Sequence, residues 1–493
     1  MDCFSKLPPE LRIRIFSQFS STSTIFRLMQ ASPIMFHQYR ESKTTIRRHF
    51  VINLLTGDRY EDLLQDALGL LYLDPANHRP DNHAMKYIIR QWISKTLPNP
   101  FKEKDQATIA KLYKLFSSMS MFVEDYISKA TSSNPPQAHL CLPQIADPSK
   151  GLYYKAHSFS PTHVTLDELT SPECHFLIWA FIKYDLVYKL EEPKAASLMD
   201  DNEHSAISKE FGAATNCERE AIRCVLQYVD DVYGALFTVS TRCSTRHTSS
   251  ALQDKSANPV RLLYPDNLFF NPVRAFENME LSPQYPPIML GRTYNGSDLG
   301  LDLLRDLVLF ANAAQPEDMR SWFYTMLSRW QRSHHLQPRN YRFPFLKRCW
   351  ISLSNYRDGP LRSLLVQRLS PPGSACSIFT IPPSSVQRNI FRQRAWVFWD
   401  NARLFRDGLC HFLTIEELEK QSTNAYGVET TLEFQERQRL RLLQLCQYRR
   451  EAGIEDTESE AQEYIFEAND EDSIPRLFDT SDNRDVTTFW QHM

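Results

Sequence analysis

The sequence predicts a mainly α-helical protein with at most a few short strands. Three observations lead to this prediction. Apolar residues recur at helical spacing in several long stretches, strand-like alternation is scarce, and no fixed-period repeat of the kind that forms propellers or leucine-rich horseshoes occurs. Proline is frequent and glycine is scarce, at 29 and 13 residues, which favours short, stiff connections between helices over flexible linkers.

The composition is that of an ordinary globular protein. The chain has 493 residues, of which 42% are hydrophobic and 23% are charged, so a large core can be buried. The formal net charge of -3 does not point to nucleic acid or a membrane as the general partner. Ten scattered cysteines without a CxxC pair, no secretory-type leader and no long apolar window predict a location in the cytoplasm, the nucleus or both.

The first 50 residues are predicted to form a module of three short helices. The first helix opens at Leu7–Leu11, because proline fits a first helical turn, and hydroxyl residues at Ser20–Thr24 end it. A second helix starts at Ile25 and stops at Ser32, since the residue before a proline is pushed out of the α region. A third helix is predicted over 34–50. Such a module buries little surface alone, so it needs a partner or a following domain.

Residues 51–450 are predicted to form a large, irregular helical region. Helices are predicted at residues 177–190, 217–239, 299–314, 316–336 and 431–450. Short strands are predicted at residues 377–382 and 395–399. Stretches rich in Pro, Ser and Asn are interpreted as linkers near residues 131–149, 240–259, 282–297 and 370–385.

Charge is segregated late in the chain. Residues 320–368 contain ten Lys/Arg and one acid, interleaved with aromatic residues, whereas residues 451–493 contain thirteen Asp/Glu and two Arg. The basic segment is interpreted first as core aromatics with solvated cations, then as a surface for an acidic protein partner, and last as a nucleic-acid site. The acidic tail is either a solvated end or a segment that folds back on the basic one. The candidate partner-binding residues are Arg329, Arg332, Arg339, Arg342, Lys347 and Arg348.

The N-terminal pattern is similar to a known module. Leu7-Pro8-Pro9-Glu10-Leu11, then Ile15-Phe16 and the segment at Leu28, resembles the F-box. Residues 30–40, which contain Ala-Ser-Pro followed by an aromatic residue, a tyrosine and an arginine, resemble the form found in many F-box proteins of filamentous fungi. Residues 396–400 are similar to a segment near the end of those proteins.

The resemblance implies a role in a protein complex. F-box modules bind the Skp-type adaptor of an SCF-type cullin–RING ubiquitin ligase, and the rest of the chain recruits a protein substrate. The implied partners are therefore the adaptor, the cullin that it carries and an unidentified protein substrate. By position, the residues that would face the adaptor are Leu7, Pro8, Leu11, Ile15, Phe16 and Leu28.

Catalytic and metal-binding patterns are missing from the sequence. It contains no GxSxG, GxxxxGK[ST], GxGxxG or HExxH motif. Cys174 and His175 are sequence neighbours whose side chains point apart, and the row Asp298, Asp302 and Asp306 is interpreted as a solvated helix face. We therefore expect a non-catalytic adaptor without cofactor or metal. The alternative hypothesis is a non-catalytic scaffold or nucleic-acid-binding protein that uses residues 320–368, with the F-box serving only as a packing module.

Overall fold

The computed structural model describes residues 2–58, 61–74, 82–132, 138–139, 142–143, 152–154, 157–159, 163–191, 193–241, 300–313 and 392–399. Most of these residues are helical, which confirms the mainly α-helical fold class. The α-helices are α1 (Pro9–Phe16), α2 (Thr22–Ala31), α3 (Pro33–Glu41), α4 (Lys43–Leu54), α5 (Asp62–Leu73), α6 (Asn82–Ile93), α7 (Pro100–Glu103), α8 (Gln106–Ala130), α9 (Ser171–Glu191), α10 (Pro193–Leu198), α11 (Asp201–Ala213), α12 (Asn216–Thr241) and α13 (Gly300–Ala313). Two short 3-10 helices span Cys3–Lys6 and Leu166–Glu168.

The N-terminal stretch differs from the prediction in one respect. The predicted single helix over residues 34–50 is wrong, because the chain turns at Ser42, which has φ −108° and ψ 21°, and forms α3 and α4 instead. Ser32 caps α3, since its Oγ accepts a hydrogen bond from the Met35 N–H at 3.1 Å. The helix α4 continues to Leu54, and its buried face packs along α8.

A small hairpin supplies the strands of the described chain. Strand β1 (Leu152–Tyr154) pairs antiparallel with β2 (His157–Phe159), with Leu152 opposite Phe159. The strand predicted at residues 395–399 is wrong. This stretch forms turns in which the Phe398 N–H bonds the Ala395 carbonyl at 3.0 Å, and Ala395 has a positive φ of 53°. The strand predicted at residues 377–382 lies outside the described residues.

Three long helices form the centre of the protein. The predicted helices 177–190, 217–239 and 299–314 correspond to α9, α12 and α13. The helix α9 is apolar on most of its surface, and it packs against α5, α8 and α12. The helix α13 packs on α12. One cluster of buried apolar side chains runs from Phe16 in α1 to Trp399. The predicted helices 316–336 and 431–450 and the acidic tail lie outside the described residues.

Residues 392–399, which we name the anchored segment, insert into this core. Ala395 and the four residues after it are buried. The guanidinium of Arg392 donates to both carboxylate oxygens of Glu220, at 2.7 and 3.1 Å, and the Tyr126 hydroxyl donates to the Arg392 carbonyl at 2.5 Å. The segment therefore brings a charge of its own that the buried Glu220 carboxylate neutralises.

Within the described helices, none combines the length and the apolar character that crossing a membrane would require.

Candidate protein-docking site

The helix α1 carries an open groove on its outer face, which we name the α1 groove. It has a volume of about 290 Å³ and is lined by Leu7, Leu11, Arg14, Ile15 and Gln18. Leu11, Arg14 and Ile15 follow the spacing of one face of α1, whereas Leu7 precedes the helix and Gln18 follows it. Leu11 is 43% exposed in the described structure, so an apolar side chain stands in solvent where a partner can cover it.

The helix α1 cannot owe its stability to its own sequence. It is eight residues long and has no side-chain hydrogen bond at its N-cap, Pro8. Pro9 fits the first turn because the missing N–H has no partner inside a helix. Helices of this length are marginal in isolation, and most of their stability comes from tertiary packing. The inner face of α1 must therefore hold it in place.

The inner face is held by one aromatic side chain. Phe16 is completely buried, and its ring lies 5.8 Å from the ring of Tyr39 on α3. The Tyr39 hydroxyl is 3.3 Å from the hydroxyl of Tyr113 on α8. Phe16 thus departs from the expectation that it faces a partner. Phe16 packs beneath the α1 groove, because burying a large aromatic ring in the core lowers its free energy relative to leaving it in solvent.

The structure brings together three of the six residues that the resemblance assigns to adaptor binding. Leu7, Leu11 and Ile15 line the α1 groove. Pro8 is exposed at the N-cap of α1, beside the groove. Leu28 is half-buried on α2 and packs against the core. Sequence reasoning missed Arg14 and Gln18, although both continue the i+3 and i+7 spacing from Leu11 and could have been found by it.

The turn between α1 and α2 is fixed by side chains from distant parts of the chain. Asp167 Oδ1 accepts hydrogen bonds from the backbone N–H groups of Ser20 and Ser21, at 2.6 and 3.2 Å. The amide of Asn53 on α4 donates to the carbonyls of Ser17 and Phe19, at 2.7 and 3.3 Å. The turn's donors and acceptors are thus both satisfied by the helical body.

A buried carboxylate completes this junction. Glu124 on α8 is 2% exposed, and it accepts hydrogen bonds from the Ser23 hydroxyl at 2.5 Å and the Leu166 N–H at 3.2 Å. Burial raises the pKa of Glu124, and the bonds from Ser21, Ser23 and Leu166 oppose that rise. The same side chain therefore links α2 to the 3-10 helix Leu166–Glu168, and the N-terminal helices are joined to the rest of the protein by polar contacts as well as by the core.

The N-terminal segment that contains α1 carries a net positive charge. Residues 1–50 contain eight Lys/Arg and three Asp/Glu, although the whole chain carries a formal net charge of -3. Arg14 itself lines the groove. Opposite charge at a contact steers association, so we expect Arg14 to favour an acidic group on any partner that covers the groove.

Those of the other residues singled out in the sequence that the structure describes are buried or paired. Burial raises the pKa of the Cys174 thiol to about 12, so the thiol is not ionised near neutral pH. Asp302 pairs with Lys189 at 2.8 Å and Asp306 with Arg305 at 3.2 Å, while Asp298 lies outside the described residues. Across the described ranges, no three His, Cys, Asp or Glu side chains converge as metal ligands would. Arg329, Arg332, Arg339, Arg342, Lys347 and Arg348 also lie outside the described residues.

Comparisons with known proteins return no match. A scan against protein-family models, a search of curated proteins and a search of solved structures each find nothing that matches this chain. The α1 groove is therefore a candidate docking site because of the residues that line it, the exposure of Leu11 and the resemblance of the N-terminal pattern to the F-box.

Proposed function

We propose that this protein is a substrate-recognition subunit of an SCF-type cullin–RING ubiquitin ligase and that the α1 groove binds the Skp-type adaptor. The single observation that carries the proposal is the meeting of Leu7, Leu11 and Ile15 in one exposed groove. These are three of the positions that the F-box resemblance assigns to the adaptor. The groove is also where the described chain leaves apolar surface uncovered on a helix too short to stand alone.

A subunit of this kind needs no catalytic group of its own. The N-terminal helices hold the adaptor, and through it the cullin, while the helical region that follows recruits a protein substrate. Holding the substrate beside a ubiquitin carried elsewhere in the complex raises its effective concentration. In this proposal the protein is a non-catalytic adaptor that works in the cytoplasm, the nucleus or both.

The proposal is tested by binding of the full-length chain to the purified Skp-type adaptor of a filamentous fungus, measured by calorimetry. We expect 1:1 binding that Leu11→Asp weakens by about 10- to 100-fold, since burying a leucine contributes about 1.5–3 kcal/mol. Leu11 is already exposed, so the substitution leaves the fold intact. Phe16 is unsuitable for this test because it is buried and its replacement would disturb the core.

Tyr87→Asp provides the matched control. Tyr87 is a large exposed side chain, at 59%, on α6 and outside the N-terminal helices. The control should bind the adaptor as tightly as the unmodified chain. Absence of binding at about 100 μM adaptor, a level above most specific interactions, would contradict the proposal. Equal affinity of the unmodified chain and Leu11→Asp would remove the α1 groove as the docking site.

A further inference from the structure

We infer that Asp167 is a positioning residue for adaptor docking. It holds the turn between α1 and α2, and so it fixes α1, the docking helix, relative to the helical region that follows residue 50. This inference rests on the proposed function, since it names the residue that orients the same groove. Its basis is the contact of one carboxylate oxygen with two consecutive backbone N–H groups, those of Ser20 and Ser21, at 2.6 and 3.2 Å.

The two ends of the docking helix are held in different ways. Before α1, Asp2 accepts hydrogen bonds from the Ser32 hydroxyl at 2.5 Å and the Phe4 N–H at 2.9 Å. These contacts stay within the first 50 residues. After α1, the turn is held by Asp167, which is 146 and 147 residues away in sequence from the serines it binds. Asp167 therefore sets the orientation of α1 relative to the region that would hold a substrate.

The position of Asp167 suits this role. It lies in the 3-10 helix Leu166–Glu168, whose Leu166 is buried in the core and whose Leu166 N–H bonds to Glu124. Thr165 and Glu168 close a capping box at the start of the same helix, with the Thr165 N–H donating to Glu168 at 2.9 Å. Asp167 thus lies on a short element that is itself held by the core, by Glu124 and by its own capping box.

The clamp should matter for binding more than for folding. Phe16 and Ile25 stay buried on either side of the turn, so the core retains its apolar contacts when the clamp is removed. Without Asp167, Asn53 still holds the Ser17 and Phe19 carbonyls, but the backbone at Ser20 and Ser21 becomes more mobile, and the adaptor has to order it on binding. A charge-assisted hydrogen bond is also stronger than a neutral one, so a single carboxylate can hold both N–H groups.

The test compares Asp167→Ala with Asp167→Asn and Glu168→Ala in the full-length chain. We expect Asp167→Ala to speed hydrogen exchange at the Ser20 and Ser21 amides by about 10-fold or more, and to weaken adaptor binding by about 3- to 10-fold. Asp167→Asn keeps an acceptor oxygen but loses the charge, so its exchange rates and adaptor affinity should lie between those of Asp167→Ala and those of the unmodified chain. Glu168→Ala removes the capping box behind Asp167 but keeps the Asp167 carboxylate, so it should change both readouts less than Asp167→Ala does.

The outcomes separate this inference from the proposed function. Unchanged exchange at Ser20 and Ser21 in Asp167→Ala would show that the clamp does not hold the turn. Faster exchange with unchanged adaptor affinity would show that the clamp does not position the docking helix. If the unmodified chain fails to bind the adaptor at all, the proposed function is wrong, and the positioning role falls with it even where the exchange data support the clamp. Equal effects of Glu168→Ala and Asp167→Ala would also overturn the inference.

Discussion

Two eight-residue segments of this protein use their apolar side chains in opposite ways. In the helix α1, Phe16 is buried while Leu11 stands in solvent and forms part of an open groove. In the anchored segment, the five consecutive residues from Ala395 to Trp399 are all buried. The difference shows that segment length does not decide the role. What decides it is whether the apolar face meets the core or is left for a partner.

The polar side chains of the anchored segment and of α1 differ in the same way. The anchored segment brings Arg392 against the buried carboxylate of Glu220 and Gln393 against Asp231, so its polar groups are satisfied inside the protein. Arg14 of α1 instead lines the open groove. The anchored segment therefore contributes to the free energy of unfolding, whereas the outer face of α1 is left free to contribute to the free energy of binding a partner.

The largest effect should come from removing an aromatic side chain of the anchored segment. Trp396→Ala deletes a fully buried indole, and we expect it to lower the free energy of unfolding by about 3–5 kcal/mol. Urea denaturation followed by circular dichroism measures this loss. Tyr87→Ala removes an exposed aromatic ring and should stay within about 0.5 kcal/mol of the unmodified chain. A loss below about 1 kcal/mol for Trp396→Ala would show that the anchored segment adds little to the core.

The polar side of the anchored segment should show in the pH dependence of stability. His139 lies beside Asp231, with Nδ1 3.7 Å from Oδ2. His139 Nε2 is 2.9 Å from the backbone carbonyl of Gln393, and the side-chain amide of Gln393 donates to Asp231 at 3.3 Å. Burial lowers the pKa of His139 to about 3 and raises that of Asp231 to about 7. Lys129 adds to the shift of His139 and opposes that of Asp231.

The effects of these two pKa shifts on the pH dependence of stability cancel in the unmodified protein. Between about pH 4 and pH 6.5 the folded pair holds one proton on Asp231, while the unfolded pair holds one proton on His139. Asp231→Asn leaves His139 alone, and its depressed pKa then makes the folded state lose stability as pH falls from about 6.5, by at most about 1.4 kcal/mol per pH unit. Urea denaturation at three pH values relative to the unmodified chain measures this slope.

The reverse substitution gives the opposite slope. His139→Leu leaves the raised pKa of Asp231 unbalanced, so the folded state should lose stability as pH rises from about 4 to about 7, also by at most about 1.4 kcal/mol per pH unit. Parallel pH profiles for the unmodified chain and both variants would show that the pair does not exchange its proton in this way.

The smallest effect should come from the α1 groove. Leu11→Asp replaces a side chain that is already exposed, so we expect the free energy of unfolding to change by no more than about 0.5 kcal/mol. Ile25→Asp on α2 is the matched comparison, because it places a charge at a buried site and should cost several kcal/mol. A large loss for Leu11→Asp would mean that α1 buries this leucine against the protein and offers no free groove.

The fold was predictable where apolar periodicity is long. The helices α9, α12 and α13 follow directly from it. The break at Ser42 was not predictable, because no proline or glycine marks it and the apolar spacing continues across it. The stretch 395–399 was misread as a strand, since a short apolar run looks the same in a buried strand and a buried turn.

The candidate site was predictable in part. The leucines of the α1 groove stand at regular spacing in sequence, and so they could be named. The clamp by Asp167 could not, because 147 residues separate it from Ser20 and no local pattern records that contact. The burial of Phe16 also depends on α3, whose Tyr39 lies beneath it, and hence on packing that the N-terminal pattern alone does not reveal.

The anchored segment has a consequence for how the chain matures on the ribosome. Tyr126, whose hydroxyl binds the Arg392 carbonyl, precedes that residue by 266 positions. At about 5–20 residues per second, translation needs roughly 13–53 s to pass from one to the other. During that interval Phe398, whose ring packs against Tyr126 of α8 and Phe176 of α9, has not yet been synthesised. The core around Tyr126 can therefore be completed only after residues 392–399 have been synthesised.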